Sequence, residues 1–551
     1  MELKKMPVLS CDILVIGGGG SGLSAAIQAR EMGSDVLLVS KFRAGYGNNT
    51  MVSGATFAVA SGWADPRDNP AVLVKDTLIG GRFVNDPKLV AAMAQASGAQ
   101  MAFLEKCGVR FLKHEDGIQA IHVPGHSYAR HVRAEQQSGR GLTLPLRGYA
   151  EEKGVRFADR VFITRLFSSK GGRIAAATGF TQDGRFLTFL AGCIILATGG
   201  FGQVYLHTNN APGITGDGQA LAYELGIPLK DMEFVQFYPT ASGKGGTRII
   251  LYEDLILGDR AVLRNSDGED ILARHGLQDA MAMTRDRLAR AIMEEIIEGR
   301  GVSGGVIMDL REASEQHLLQ YQSAFDASDK KAFIVSPTTH FCNGGVVVDE
   351  AAETQVPGLF AAGEVCGGVH GANRIAGNAL SEAFSMGGIA GRNASIKAKG
   401  CDRPELPERE SAAEKLRLES FLSKGFRPLR ELRRSIRELM WYRVGLMREG
   451  RELEKCLEEI EVFHSRVSEL QVNNFRDLMR LLEVQNMLIS SEMVCRAAVL
   501  RTESRGAHYR SDYPEENNDQ WLKNIIISKG DFGMEMRVAP ISTAMKKGWC
   551  G

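Results

Sequence analysis

The feature that most constrains this chain is the stretch Gly17-Gly18-Gly19-Gly20-Ser21-Gly22, set between a short apolar run, Cys11 to Ile16, and an alanine-rich segment, Leu23 to Met32. Glycine at such density removes the side chains that would keep a ligand from the backbone, and the helix that follows aims unpaired N–H groups at it. A second apolar run, Asp35 to Val39, completes a βαβ unit, so Gly17, Gly19 and Gly22 form a G-x-G-x-x-G turn in the context a dinucleotide requires. The acid that often ends the second strand and holds a ribose is missing, because Val39 is followed by Ser40 and Lys41. The ribose contact is therefore weaker, or made by a hydroxyl.

Further buried strands are predicted at Cys193 to Ala197, ending in Thr198-Gly199-Gly200, and at Gly358 to Ala362, ending in Gly363-Glu364. Three distant strands that all end in glycine turns imply one sheet assembled from separate segments, with the ligand at its carboxyl edge. Between the second and third lies Met232 to Thr339, with a helical stretch at Ala280 to Glu298, read as an inserted lid. After the proline-bearing stretch Cys401 to Glu408 the chain turns to long charged helices. Lys424 to Glu449 places Leu432, Ile436, Met440 and Val444 at spacings of four, and Asn473 to Arg501 is similarly periodic.

A chain of 551 residues exceeds what one core supports, since cores stop growing near roughly 250 to 300 residues. The 66 basic and 66 acidic side chains cancel, which excludes an overall field for nucleic acid or an anionic membrane. The nine cysteines are scattered, with no C-x-x-C and no close quartet, so no iron–sulfur cluster, haem attachment or zinc knuckle is expected, and reduced thiols imply a cytoplasmic location. The N-terminus lacks the pattern of a cleaved leader, and no run approaches the ~20 apolar residues of a spanning helix; membrane contact would come through another subunit. His122 and His126 flank Pro124 and Gly125, which break any helix that would bring them to one metal. Arg130, His131 and Arg133 read as a small basic patch, either a solvated face or one that steers anionic substrate, and Arg501 to His508 reads, from residues alone, as a charged helix end.

Taken together, Gly17 to Gly22, Ser40-Lys41, Ala197-Thr198-Gly199-Gly200, Thr215-Gly216-Asp217-Gly218, Ala362-Gly363-Glu364, Gly367 to Arg374 and Arg501 to His508 resemble the flavoprotein subunit of the fumarate reductase and succinate dehydrogenase family, which includes L-aspartate oxidase. The resemblance runs in order from about Asp12 to Pro540. It implies an α/β fold: a Rossmann-like FAD-binding domain (1–232 and 340–402), an inserted α+β capping domain (233–339), and a C-terminal helical domain and tail (403–551). It also implies FAD contacts at Gly17, Gly19, Gly20, Ser21, Gly22, Ser40, Lys41, Asn49, Thr50, Ala197, Thr198, Gly199, Asp217, Glu364, Asn378, Ala379 and Leu380. Glu364 would take a ribose. Where membrane-bound members carry a His-Thr pair with the histidine joined to FAD, this chain reads Asn48-Asn49-Thr50, so noncovalent FAD is expected.

Reducing a carbon–carbon double bond beside a carboxylate needs a hydride, cationic clamps on the carboxylate, and an acid for the developing carbanion. By the resemblance, Arg374 and His340 hold the carboxylate, Arg285 moves the proton and Glu253 recharges it, while His126 and Ser127 border the pocket. Two positions depart from the family: Tyr238-Pro239-Thr240 replaces His-Pro-Thr, and Tyr252-Glu253 replaces Thr-Glu. The phenols carry no positive charge for a second carboxylate. The relay arginine expected after Glu253 is also replaced, by Ile256, with Arg248 or Arg260 as the candidate substitute. Four readings stay open: a dicarboxylate oxidoreductase with altered ligands, the same chemistry on an aryl or extended enoate, an L-aspartate oxidase-like oxidation, and a flavin relay. The expected electron partner is an iron–sulfur subunit or a soluble carrier.

Overall fold

Alternating apolar and glycine-rich segments assemble, in a computed structural model of the chain, into a sheet that collects strands from both ends of the first 361 residues. The structure describes residues 2–114, 117–136, 138–242, 249–250, 261–279, 283–311, 332–400, 405–423 and 429–541. In the main sheet the order is Arg156–Asp159, Val36–Ser40, Leu9–Ile16, Arg185–Leu196, Ile174–Thr181, Val161–Ser168, with Leu359–Ala361 also on Arg185–Leu196. Leu196 pairs in parallel with both Ile16 and Ala361. The three strands therefore end side by side, and their glycine turns meet at one carboxyl edge, as the sequence predicts.

Two helices run back from that edge. Gly20–Glu31 crosses Asn378–Lys399 closely because Gly387 and Gly391 face it; a Cβ on either would lie 2.5 Å from the Ser21 carbonyl or 2.2 Å from the Ala25 carbonyl. This packing brings both N-termini to the same edge of the sheet. The inserted segment has a five-stranded sheet, Ile249–Ile250, Val235–Ser242, Ala332–Cys342, Val306–Asp309 and Val262–Arg264. The helix Arg285–Ile297 packs on it, with a separate core of Leu263, Leu288, Ile292, Met308 and Val335. The expected boundary between residues 339 and 340 falls inside one strand, Ala332–Cys342, which carries side chains of the lid and of the sheet edge alike.

Beyond residue 405 come Glu408–Ser420, Leu429–Arg443, Gly450–Ser468 and Phe475–Leu500, but the region is not purely helical. Lys523–Gly530 and Gly533–Pro540 form a hairpin that pairs with Leu229–Lys230. The expected charged helix end at Arg501 to His508 is instead interior. Arg501 bonds Glu233 at 2.6 Å and Glu503 at 2.9 Å, and Arg505 bonds Glu503 at 2.7 Å, all of them fully buried. Such charges are retained in an interior only when paired. Arg130 and His131 correct the solvated-patch reading in the same way: both are buried, and Arg130 bridges Asp68 at 2.8 Å and Asp76 at 2.9 Å. Among the described residues no helix is long and apolar enough to cross a membrane, and no cluster of side chains could hold a metal ion.

Candidate active site

A cavity of about 510 Å³ opens at the sheet edge and extends beneath the inserted segment. At one end it is lined by Gly17 to Ser21, Ser40, Lys41, Asn49, Thr50, Ala197 to Gly199, Asp217, Glu364, Ala379 and Leu380, and at the other by Tyr238, Arg285, His340 and Arg374. The first end is made largely of backbone. Gly17 has a φ of +121°, and a Cβ there would meet the Ala197 carbonyl at 2.1 Å. The helix Gly20–Glu31 begins without a side-chain cap at Gly19, and Asn378–Lys399 begins beside it after Gly377. Two positive helix ends facing one space favour an anion. The buried hydroxyls of Ser21 and Thr198 have no hydrogen-bond partner in the protein. Donors of this kind, with no Cβ in the way, fit a dinucleotide pyrophosphate.

Several expected contacts take different parts. Gly22 is off the cavity wall; a Cβ on it would lie 1.9 Å from the Gly17 carbonyl, so this glycine seats the helix on the strand. Asn378 faces away, donating to Thr77 Oγ1 at 2.9 Å. Lys41 and Asp217 line the space but are spent on each other at 2.7 Å, with Glu483 at 2.9 Å from the ammonium. Burial opposes the lysine's charge, yet these carboxylates outweigh it and hold its pKa above the usual value. Thr50 Oγ1 accepts from the Gly20 N–H at 3.1 Å. Glu364 accepts from the Asn49 amide at 3.0 Å and from the Cys342 N–H at 3.2 Å, and burial raises its carboxyl to about 7.

At the far end, segments remote in sequence are tied together by carboxamides. Gln236 Oε1 accepts from Arg374 at 2.9 Å, while its Nε2 donates to the Arg374 carbonyl and to Asn373 Oδ1, both at 2.8 Å. Asn373 Nδ2 reaches Asp286, beside Arg285, at 2.9 Å. Arg374 lies over the Phe341 ring at 4.8 Å, Arg285 over the Tyr238 ring at 4.8 Å, and the Tyr238 and His340 rings meet edge to face at 5.3 Å. Burial, then Arg374 and Arg285, push the His340 imidazole well below its usual pKa, so it is neutral at physiological pH.

His126 and Ser127 stand behind the wall instead of bordering it. His126 Nε2 bonds the Ala376 carbonyl at 2.8 Å, and Ser127 binds Asp76 through Oγ at 2.6 Å and N–H at 2.9 Å. Tyr252, Glu253, Ile256, Arg248 and Arg260 lie outside the described residues. Residues the sequence reading missed are Gln236, Asn209 and Asn210, none of them in a motif; Arg133, read there as part of a basic patch, lines the cavity. A model of the "FAD binding domain" family matches residues 12–380, and one of the "Fumarate reductase flavoprotein C-term" family matches 433–547.

This chain belongs to the fumarate reductase flavoprotein family.

Its cofactor is FAD. The chain is 34% identical over 534 residues to a subunit of the fumarate reductase (CoM/CoB) of Methanothermobacter marburgensis, covering 94% of this chain and 97% of that one. It is 31% identical to L-aspartate oxidase of Acinetobacter baylyi, over 97% and 98% of the two. The E. coli quinol fumarate reductase flavoprotein superimposes with a TM-score of 0.90 at 25% identity, over 98% of each chain. The family's FAD-binding fold, with its C-terminal helical part, is the fold described above.

Proposed function

We propose that this chain is the catalytic subunit of a fumarate reductase or succinate dehydrogenase-like complex, interconverting an enoate and its saturated carboxylate. The observation that carries the reading is the meeting of Arg285, His340 and Arg374 in one cavity whose other end is built for a dinucleotide. Hydride exchange at N5 is the chemistry FAD supplies when bound. The Arg374 fork, held flat on Phe341 and fixed by Gln236, clamps a substrate carboxylate bidentately. Neutral His340 donates a hydrogen bond to the same carboxylate without neutralising it. Arg285 gives a proton to the carbon that does not receive the hydride, and takes one back in the reverse direction. Arg374 is buried and Arg285 and His340 partly so, which limits the bulk water that can compete for the carbanion.

Tyr238 supports a second reading of the substrate. Its ring, fully buried beneath Arg285 and against His340, brings no positive charge for a second carboxylate, which suits an aryl or extended enoate better than a dicarboxylate. Electrons pass to or from an iron–sulfur subunit or a soluble carrier, since the sequence has no cluster-spaced cysteines. The reading places the protein in the cytoplasm, membrane-associated only through a partner. FAD is held noncovalently, because Asn49 occupies the stretch where other members carry the linking histidine. Acid precipitation is expected to release all yellow colour to the supernatant.

The deciding experiment is reoxidation of anaerobically reduced protein by fumarate, by cinnamate-like enoates and, in reverse, reduction by succinate or L-aspartate. Rapid reoxidation by an enoate is expected. Reoxidation by none of the acids would leave an electron relay, and reduction by L-aspartate alone would move the chain to amino-acid oxidation.

A further inference from the structure

The imidazole of His340 is met on one side by a row of carboxamides whose direction is fixed from the backbone. The Ala211 N–H can only donate, and it donates to Asn49 Oδ1 at 3.0 Å. Asn49 Nδ2 is thereby turned to Asn210 Oδ1 and Glu364 Oε2, each at 3.0 Å. Asn210 Nδ2 in turn donates to the His340 carbonyl at 2.8 Å, which can only accept, and to Asn209 Oδ1 at 3.3 Å. The remaining group, Asn209 Nδ2, points at His340 Nδ1 from 3.0 Å. Asn209 Oδ1 is farther from that nitrogen, at 3.3 Å, and already accepts from Asn210. A donor facing Nδ1 requires a lone pair there, so the single proton of the neutral ring belongs on Nε2.

We propose that Asn209 is a positioning residue that fixes His340 as the Nε2–H tautomer, at the end of a one-way carboxamide chain rooted at the Ala211 N–H. The functional meaning rests on the reading that His340 donates to a substrate carboxylate: the opposite tautomer would set a lone pair on Nε2. It also gives Asn49, in the stretch where other members join histidine to flavin, a task of its own in this chain.

The test is the ring-nitrogen NMR spectrum of ¹⁵N-histidine-labelled, FAD-loaded protein, with His340→Gln to assign the signal. A proton-free Nδ1 and a protonated Nε2 are expected in the unsubstituted protein. Asn209→Ala is expected to give mixed tautomers and a KM for the enoate raised about tenfold, the loss of one hydrogen bond to an orienting group. In Asn209→Asp a carboxylate would face Nδ1 and raise the imidazole pKa against the opposing Arg374 and Arg285, with the Tyr238 phenol the other titratable neighbour. Below the new pKa the ring keeps its Nε2 proton; above it the last proton stays on Nδ1. The kcat/KM of that variant should therefore fall by roughly 10²-fold as pH rises through the transition, a limb the parent lacks. A protonated Nδ1 in the parent, or an Asn209→Ala protein with unchanged spectrum and KM, would overturn the proposal. Should the Asn209 variants not fold, the assigned parent spectrum still decides, and it does so whether or not any enoate reoxidises the flavin.

Discussion

The two ends of the cavity are built on different principles. The dinucleotide end is backbone: glycines, helix N-termini and two buried hydroxyls, most of them within a few residues of a strand end. The proposed reacting end is side chain: Tyr238, Arg285, His340 and Arg374 come from four segments and are held by Gln236, Asn373 and Asn209. The first tolerates little because atoms touch; the second depends on which functional group stands where. Substitutions at the two ends should fail differently.

Gly22→Val is expected to have the largest effect, since even a Cβ would overlap the Gly17 carbonyl. No yellow protein should be recoverable, as read by flavin absorbance after purification. Arg285→Gln and Arg374→Gln should leave FAD content intact but slow enoate-dependent reoxidation by about 10²- to 10³-fold, the cost of one preorganised donor at developing charge. If either lost its flavin instead, the division between the ends would be wrong. Tyr238→His should shift the ratio of kcat/KM values from aryl enoates toward fumarate by about tenfold or more, measured in competition.

The smallest expected effect concerns Glu364, at the dinucleotide end. Its folded pKa of about 7 lies above the ordinary 4.5, so between those values the folded flavin-free protein holds a proton that the unfolded chain has released. Stability should therefore fall as pH rises from 4.5 to about 7 and level off above it. Glu364→Gln should abolish that slope in denaturant titrations. A slope retained in the variant would assign the proton elsewhere.

How much of this was legible beforehand follows the same division. The glycine turn, the three strands meeting at one edge and the helix Phe475–Leu500 are local or periodic signals, and each is visible within a short window. The C-terminal hairpin is itself a local feature that was not read; its docking onto Leu229–Lys230, far earlier in the chain, is not a local signal. Arg130 and Arg501 look like surface charge in sequence; only their distant carboxylates, Asp68, Asp76 and Glu233, make burial tolerable. His126 and Ser127 were expected at the pocket, but hydrogen bonds to Ala376 and Asp76 hold them behind it.

By itself the sequence determined the dinucleotide turn and the sheet edge and, through the family resemblance, pointed to Arg285, His340 and Arg374 as site candidates, because residue type and order suffice where the backbone or a motif does the binding. The tertiary structure alone decided which carboxamide faces His340 Nδ1, which charges are interior, and that Tyr238 stands between Arg285 and His340. Those facts depend on the direction of hydrogen bonds and on contacts between segments remote from one another in chain order, which no local pattern encodes.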